Sequence, residues 1–120
     1  MEKTFEEQQF ETLKTADEYI SKLINGVDIC ISNIKENKYY EALNLFYYII
    51  EGIDWLNEVA RLTKDIQKQN MDEELMKENV EELYNYLNIE DFEKILKLLS
   101  EEILPLLNIW QTIIKKSIVS

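Results

Sequence analysis

The chain has 120 residues, 24 of them acidic and 13 basic, giving a formal net charge of −11 with no histidine. An apolar share of 46% beside 31% charged residues fits one folded domain with a real core and excludes global disorder. Charge of that sign repels nucleic-acid phosphates and anionic lipid, so neither nucleic acid nor a membrane is expected as a partner, whereas a basic protein is compatible with it. The same charge also serves simply to keep a hydrophobic helical protein in solution.

Two glycines and one proline leave few turns, which favours long helices over a strand-rich fold. The lone cysteine, Cys30, has no internal disulfide partner and sits among apolar residues, as a small buried hydrophobe in a reducing compartment does. The opening "MEKTFEEQQF" lacks the apolar region of a secretory signal, and no apolar run approaches the roughly 20 residues that span a bilayer. The expected location is the cytoplasm.

Four helical stripes separate along the chain. Residues 1–11 precede them as a segment that can be mobile, and residues 1–120 read as one helical-bundle domain. In the first helix Leu13, Ala16, Ile20, Leu23, Ile24, Val27, Ile31 and Ile34 share a face. That pattern runs through Gly26, which is costly inside a helix unless another helix comes close there. "KENK" makes the first turn, with Asn37 as the expected cap of a second helix from Tyr39 to Ile66. "KQNMDEE" is a loop, and Asn70 or Asp72 caps a third helix with the stripe Met76, Val80, Leu83 and Leu87. Asp91 caps the fourth, whose wide face carries Phe92, Ile95, Leu96, Leu99, Ile103, Leu106, Trp110, Ile113 and Ile114. Pro105 falls inside that run and frees the carbonyl of Glu101, which predicts a kink. "YEALNLF" from Tyr40 echoes "FEKILKL" from Phe92, each after a short turn. Two helical hairpins with short connections predict an all-α antiparallel four-helix bundle with about 70–80% helix.

The second helix holds more apolar side chains than one face buries. Ala42, Leu45, Phe46, Ile49, Ile53, Leu56 and Ala60 form a core face, while Tyr48, Trp55, Val59 and Leu62 align on another side. Three coverings for this second line stay open. The helix can be the most central of the four; the N-terminal segment with Phe5 and Phe10 can fold over the line; or the line is an open groove for another helix. In the last case Tyr48, Trp55, Val59 and Leu62 are the partner-binding residues, and tyrosine and tryptophan suit that role.

Without histidine there is no Ser-His or Cys-His catalysis and no Glu-x-x-His metal motif. Zinc is disfavoured with one cysteine, and isolated Gly26 and Gly52 make no phosphate loop, so no catalytic residues, metal or nucleotide cofactor are expected. Glu51, Asp54 and Glu58, and the pairs Glu81–Glu82 and Glu101–Glu102, read as solvated surface charge. The expectation is a non-enzymatic protein.

The segments "YISKLINGVDICISNIKENKYYEALNLFYYIIEGIDWLNEVARL" and "ELYNYLNIEDFEKILKLLSEEILPLLNIW", as two successive hairpins with a late tryptophan, resemble the flagellar export chaperone family FliS. The resemblance covers Thr4 to Lys115 in helix lengths and turn placement, with no motif that carries a binding residue across. It implies a small cytoplasmic bundle that holds a disordered flagellin C-terminus as it becomes helical. Two other readings compete: an acidic inhibitor or antitoxin-like protein that neutralises a basic partner, and a self-associating bundle or homodimer. Apolar client binding tolerates salt, whereas charge-driven inhibition weakens steeply with it.

Overall fold

A computed structural model describes residues 4–119. Of these, 87% are helical, and no strand occurs among them. The elements are α1 (Phe5–Lys35), α2 (Tyr39–Leu62), a 3₁₀ turn (Lys64–Ile66), α3 (Glu73–Asn88), α4 (Phe92–Leu98), a π turn (Leu99–Ile103) and α5 (Leu104–Ile118). α4, the π turn and α5 run on as a fourth rod, so the architecture is a four-helix arrangement. α1 lies between α2 and α5, antiparallel to both, and α3 closes the ring between α2 and α4. At about 1.5 Å per residue, the 31 residues of α1 set the long axis of a 52 × 22 × 22 Å body.

Helical content exceeds the expectation because α1 starts at Phe5, well before its apolar stripe. A capping box nucleates it. The Thr4 hydroxyl accepts from the Glu7 N–H at 3.1 Å, and the Glu7 carboxylate accepts from the Thr4 N–H at 3.4 Å. The most central helix is thus α1 rather than α2. Helix α2 also stops earlier than expected, at Leu62, and the chain continues as the 3₁₀ turn.

Asn37 does not cap α2. Lys38 occupies that place with no side-chain bond, and Asn37 takes φ 61°, where asparagine is tolerated better than most residues. It closes α1 through a paired motif in which Lys38 N–H donates to Asn33 O (2.7 Å) and Asn37 N–H to Ile34 O (3.0 Å). The second hairpin repeats the device. Glu90 takes φ 52°, Asp91 N–H donates to Tyr86 O (3.0 Å), and Glu90 N–H to Leu87 O (3.1 Å). The first residue after each turn, Tyr39 and Phe92, stack on one another with ring centroids 4.2 Å apart. Asp72 and Asp91 cap α3 and α4 by accepting from Leu75 N–H (3.0 Å) and Lys94 N–H (3.2 Å).

Pro105 acts through the turn before it. With no N–H at Pro105 the α-helical ladder is interrupted, and Leu104 N–H donates to Leu99 O, one residue further back than an α-helix would use. The wider turn accommodates the ring without ending the rod.

The core is continuous along all four rods. Its lower end is tied by polar groups the apolar pattern does not announce. Gln9 donates to Leu62 O (2.9 Å), and Gln67 donates to Ala60 O (2.8 Å) while accepting from Met71 N–H (3.0 Å). Ser117 Oγ accepts from Lys68 N–H at 3.0 Å. These bonds seat Met71, a loop residue, fully in the core.

Two predictions follow from burial. Leu99 is wholly buried, so Leu99→Ala should cost about 2–5 kcal/mol in urea unfolding, and a loss under about 1 kcal/mol would contradict this packing. Burial pushes the Cys30 thiol up to about 12. Since thiolate is the reactive form, Cys30 should stay unmodified by a disulfide reagent at pH 8 in the native protein and react stoichiometrically once unfolded.

Candidate functional site: an aromatic line between the first two helices

The outer groove between α1 and α2 is built by an exchange of glycines and tyrosines. A β-carbon on Gly26 would lie 3.1 Å from Tyr48 Cε1. A β-carbon on Gly52 would fall within contact of the Tyr19 hydroxyl and 2.9 Å from Leu23 Cδ1. Each helix therefore offers bare backbone where the other lays down a ring. Tyr19 then meets Trp55 edge-on, with centroids 5.3 Å apart at 77°, and Tyr48 at 6.4 Å and 54°. Partial burial, then the neighbouring Tyr48 and Glu51, push the Tyr19 phenol above its ordinary value.

Of the four residues expected to bind a partner, three keep accessible surface: Tyr48 at 38%, Trp55 at 38% and Leu62 at 43%. Val59 does not, with 1% exposed, and that expectation is corrected. Val59 lies two turns after Gly52, on the side of α2 that meets Tyr19 and Leu23 of α1, and one turn before buried Thr63, whose hydroxyl donates to Val59 O at 2.7 Å. Gln9 clasps the end of α2 at Leu62, so the first turns of α1 run alongside this end. The covering in which Phe5 and Phe10 fold over the line, one of the three left open, is not what the structure has: Phe10 borders a cleft with Lys14 and Ile118 on the α5 side, and Phe5 is exposed.

Two features lay outside the sequence reading. Tyr19 completes the aromatic line from the neighbouring helix. On the far side of α2, Tyr40 (75% exposed), Leu43 and Tyr47 (72%) make a second apolar line at helical spacing. Glu51 and Glu58 lie on the exposed ridge between the two lines. The carboxylates read as surface charge are exposed: Glu51, Asp54, Glu58, Glu81, Glu82, Glu101 and Glu102. A hydrogen bond from Arg61 holds Glu58 below the usual carboxylate range, whereas partial burial pushes the Asp54 carboxyl up. Among the described residues no group of three or more Cys, Asp or Glu is arranged to hold a metal, and no helix is long and apolar enough to cross a membrane.

Fold and face define a class: an all-α helical bundle with a half-open aromatic groove on its first hairpin. The family described as "Domain of unknown function (DUF8042)" matches residues 11–113, and the chain belongs to that family. Tyr19, Tyr48, Trp55 and Leu62 all lie inside the matched segment. No curated protein and no solved structure matches the chain.

The glycine–tyrosine exchange makes a testable coupling. Gly→Ala inside a helix ordinarily gains up to about 1 kcal/mol in propensity, but at Gly52 the Tyr19 ring and Leu23 stand in the way. Gly52→Ala should therefore gain little alone and recover about 0.5–1 kcal/mol in a Tyr19→Ala background, read by a double-mutant cycle in urea. Additive effects would show that the ring does not depend on the glycine.

Proposed function

We propose that this chain is a non-enzymatic protein-binding module whose α1/α2 groove docks an amphipathic helical segment of another protein. The observation that carries this is the Tyr19–Tyr48–Trp55 cluster, in which Tyr48 and Trp55 are packed into defined positions yet keep over a third of their surface open. Rings already fixed lose little further entropy on binding, and aromatic anchors of this kind dominate helix-in-groove interfaces. The resemblance to the FliS family implies the same type of client, a disordered segment that becomes helical on the bundle. A cytoplasmic setting suits the single unpaired thiol.

The experiment is affinity capture from the source cells with identification by mass spectrometry, followed by titration of the captured partner. Trp55→Ala should weaken that association by about 2 kcal/mol or more, with a smaller effect on stability than Leu99→Ala. If removal of Trp55 mainly unfolds the domain, the groove is core and the proposal fails; it fails equally if the folded variant keeps its association intact.

A further inference from the structure

Resting on that docking reading, we infer that the segment received by this face is a cationic amphipathic helix, with lysine or arginine flanking its apolar stripe. The argument is one of charge complementarity. Helix α2 carries Glu41, Glu51, Asp54 and Glu58 against a single cation, Arg61. That cation is bound to Glu58. Glu51 takes part in no salt bridge among the described residues, while Asp54 borders a cleft on the α3 side with Glu73 and Lys77. On the α1 bank Lys22 stands one turn from Glu18, so the cations of the rim do not outnumber its acids.

Position matters as much as number. Glu51 stands between Tyr48 and Trp55 in sequence, on the ridge beside the aromatic line, and acts on Tyr19 across the groove. A helix seated on Tyr48, Trp55 and Leu62 would bring its own flanking residues over Glu51 and toward Glu58 on the same ridge. Tyrosine and tryptophan faces also attract guanidinium and ammonium groups. A second copy of this chain fits poorly, because each copy carries −11 and this acidic face would meet its like. Nucleic acid and anionic membranes are repelled on the same ground.

The test uses the full chain and two synthetic helices of about twenty residues, long enough to span the groove. Both carry one leucine/alanine apolar face; one is flanked by arginine and lysine, the other by glutamate. Binding is read from tryptophan fluorescence and by calorimetry. Circular dichroism confirms that each variant is folded. The basic peptide should bind about tenfold or more tighter than the acidic one. Trp55→Ala and the double change Glu51→Lys/Glu58→Lys should each weaken it about tenfold. Salt at about 0.5 M, where screening acts within about 4 Å, should lower but not abolish the affinity.

Equal binding of the two peptides, or indifference to the charge reversal, overturns the cationic assignment. If Trp55→Ala still weakens both peptides in that case, the docking face itself stands. Failure of both peptides to bind, or a basic peptide that ignores Trp55→Ala, removes the docking reading and this inference with it.

Discussion

The close approach of α1 and α2 governs what this protein exposes. Gly26 lies beneath Tyr48 and Gly52 beneath Tyr19 and Leu23. Glycine in a helix interior costs roughly 0.5–1 kcal/mol relative to alanine, and here that cost is offset by rings that lie on bare backbone. The geometry has a consequence for solvent. A ring laid across a neighbouring helix is covered on one face only, whereas a ring inserted between two helices is covered on both. Tyr48 keeps an open side for that reason, and Trp55, which meets the Tyr19 ring edge-on, keeps one too, whereas Trp110 on α5 is wholly buried. The same packing brings Tyr19 into the aromatic line, so the candidate surface and the α1–α2 interface are one construction.

The two hairpins solve the same problem with the same parts. Each ends its first helix on a residue with positive φ, Asn37 or Glu90, and each starts its second with an aromatic residue, Tyr39 or Phe92. Buried positions then correspond along the following rods, as Ala42 does with Ile95 and Phe46 with Leu99. Beyond the π turn the correspondence holds only with one extra residue in the second rod: Leu56 with Trp110, Ala60 with Ile114, and Thr63 with Ser117. Thr63 and Ser117 even make the same bond, each hydroxyl donating at 2.7 Å to the carbonyl four residues earlier. The π turn is thus the place where one more residue is absorbed into a helix without turning its apolar face away from the core. Pro105 sits just after it, where the missing N–H is least disruptive.

Helical periodicity made the four rods and most of the core legible, because burial on one side is the physical origin of that periodicity. Leu13 through Ile34, Met76 through Leu83 and Ile95 through Ile114 were readable on this basis. Features set by something other than burial were harder. The start of α1 at Phe5 rests on a Thr4–Glu7 capping box among polar residues, a pattern present in the sequence but outside any apolar stripe. Asn37 could be assigned to the turn but not to its role, since asparagine suits both a cap and a left-handed closing position. Met71 is held in the core by a glutamine and a backbone bond, with no periodic neighbours. In the candidate site Tyr48, Trp55 and Leu62 were legible from spacing along one helix. Tyr19 was not, because only the pairing of two helices sets it over Gly52. Val59 was misassigned for the same reason: spacing places a residue on a line, while the neighbouring helix decides where along that line cover begins.

The exposed face of α2 answers two demands at once. Left unbroken, the line of Tyr48, Trp55 and Leu62 and the line of Tyr40, Leu43 and Tyr47 would merge into one broad apolar strip, a liability for any free monomer. Glu51 and Glu58 stand on the ridge between them and divide the strip. Solubility alone accounts for the acids but not for the aromatics, since polar side chains at Tyr48 and Trp55 would serve solubility better and the core would close without their exposed halves. A greasy docking surface alone accounts for the aromatics but not for acids set among them, which an uncharged partner would have to strip of water at a cost. The proposed partner, an apolar stripe flanked by positive charge, would remove the conflict, because the acids would gain partners as the rings are covered. On the proposed docking reading, acids placed this way would also discriminate against the wrong occupant, since another copy of the chain would bring its own carboxylates to the same ridge.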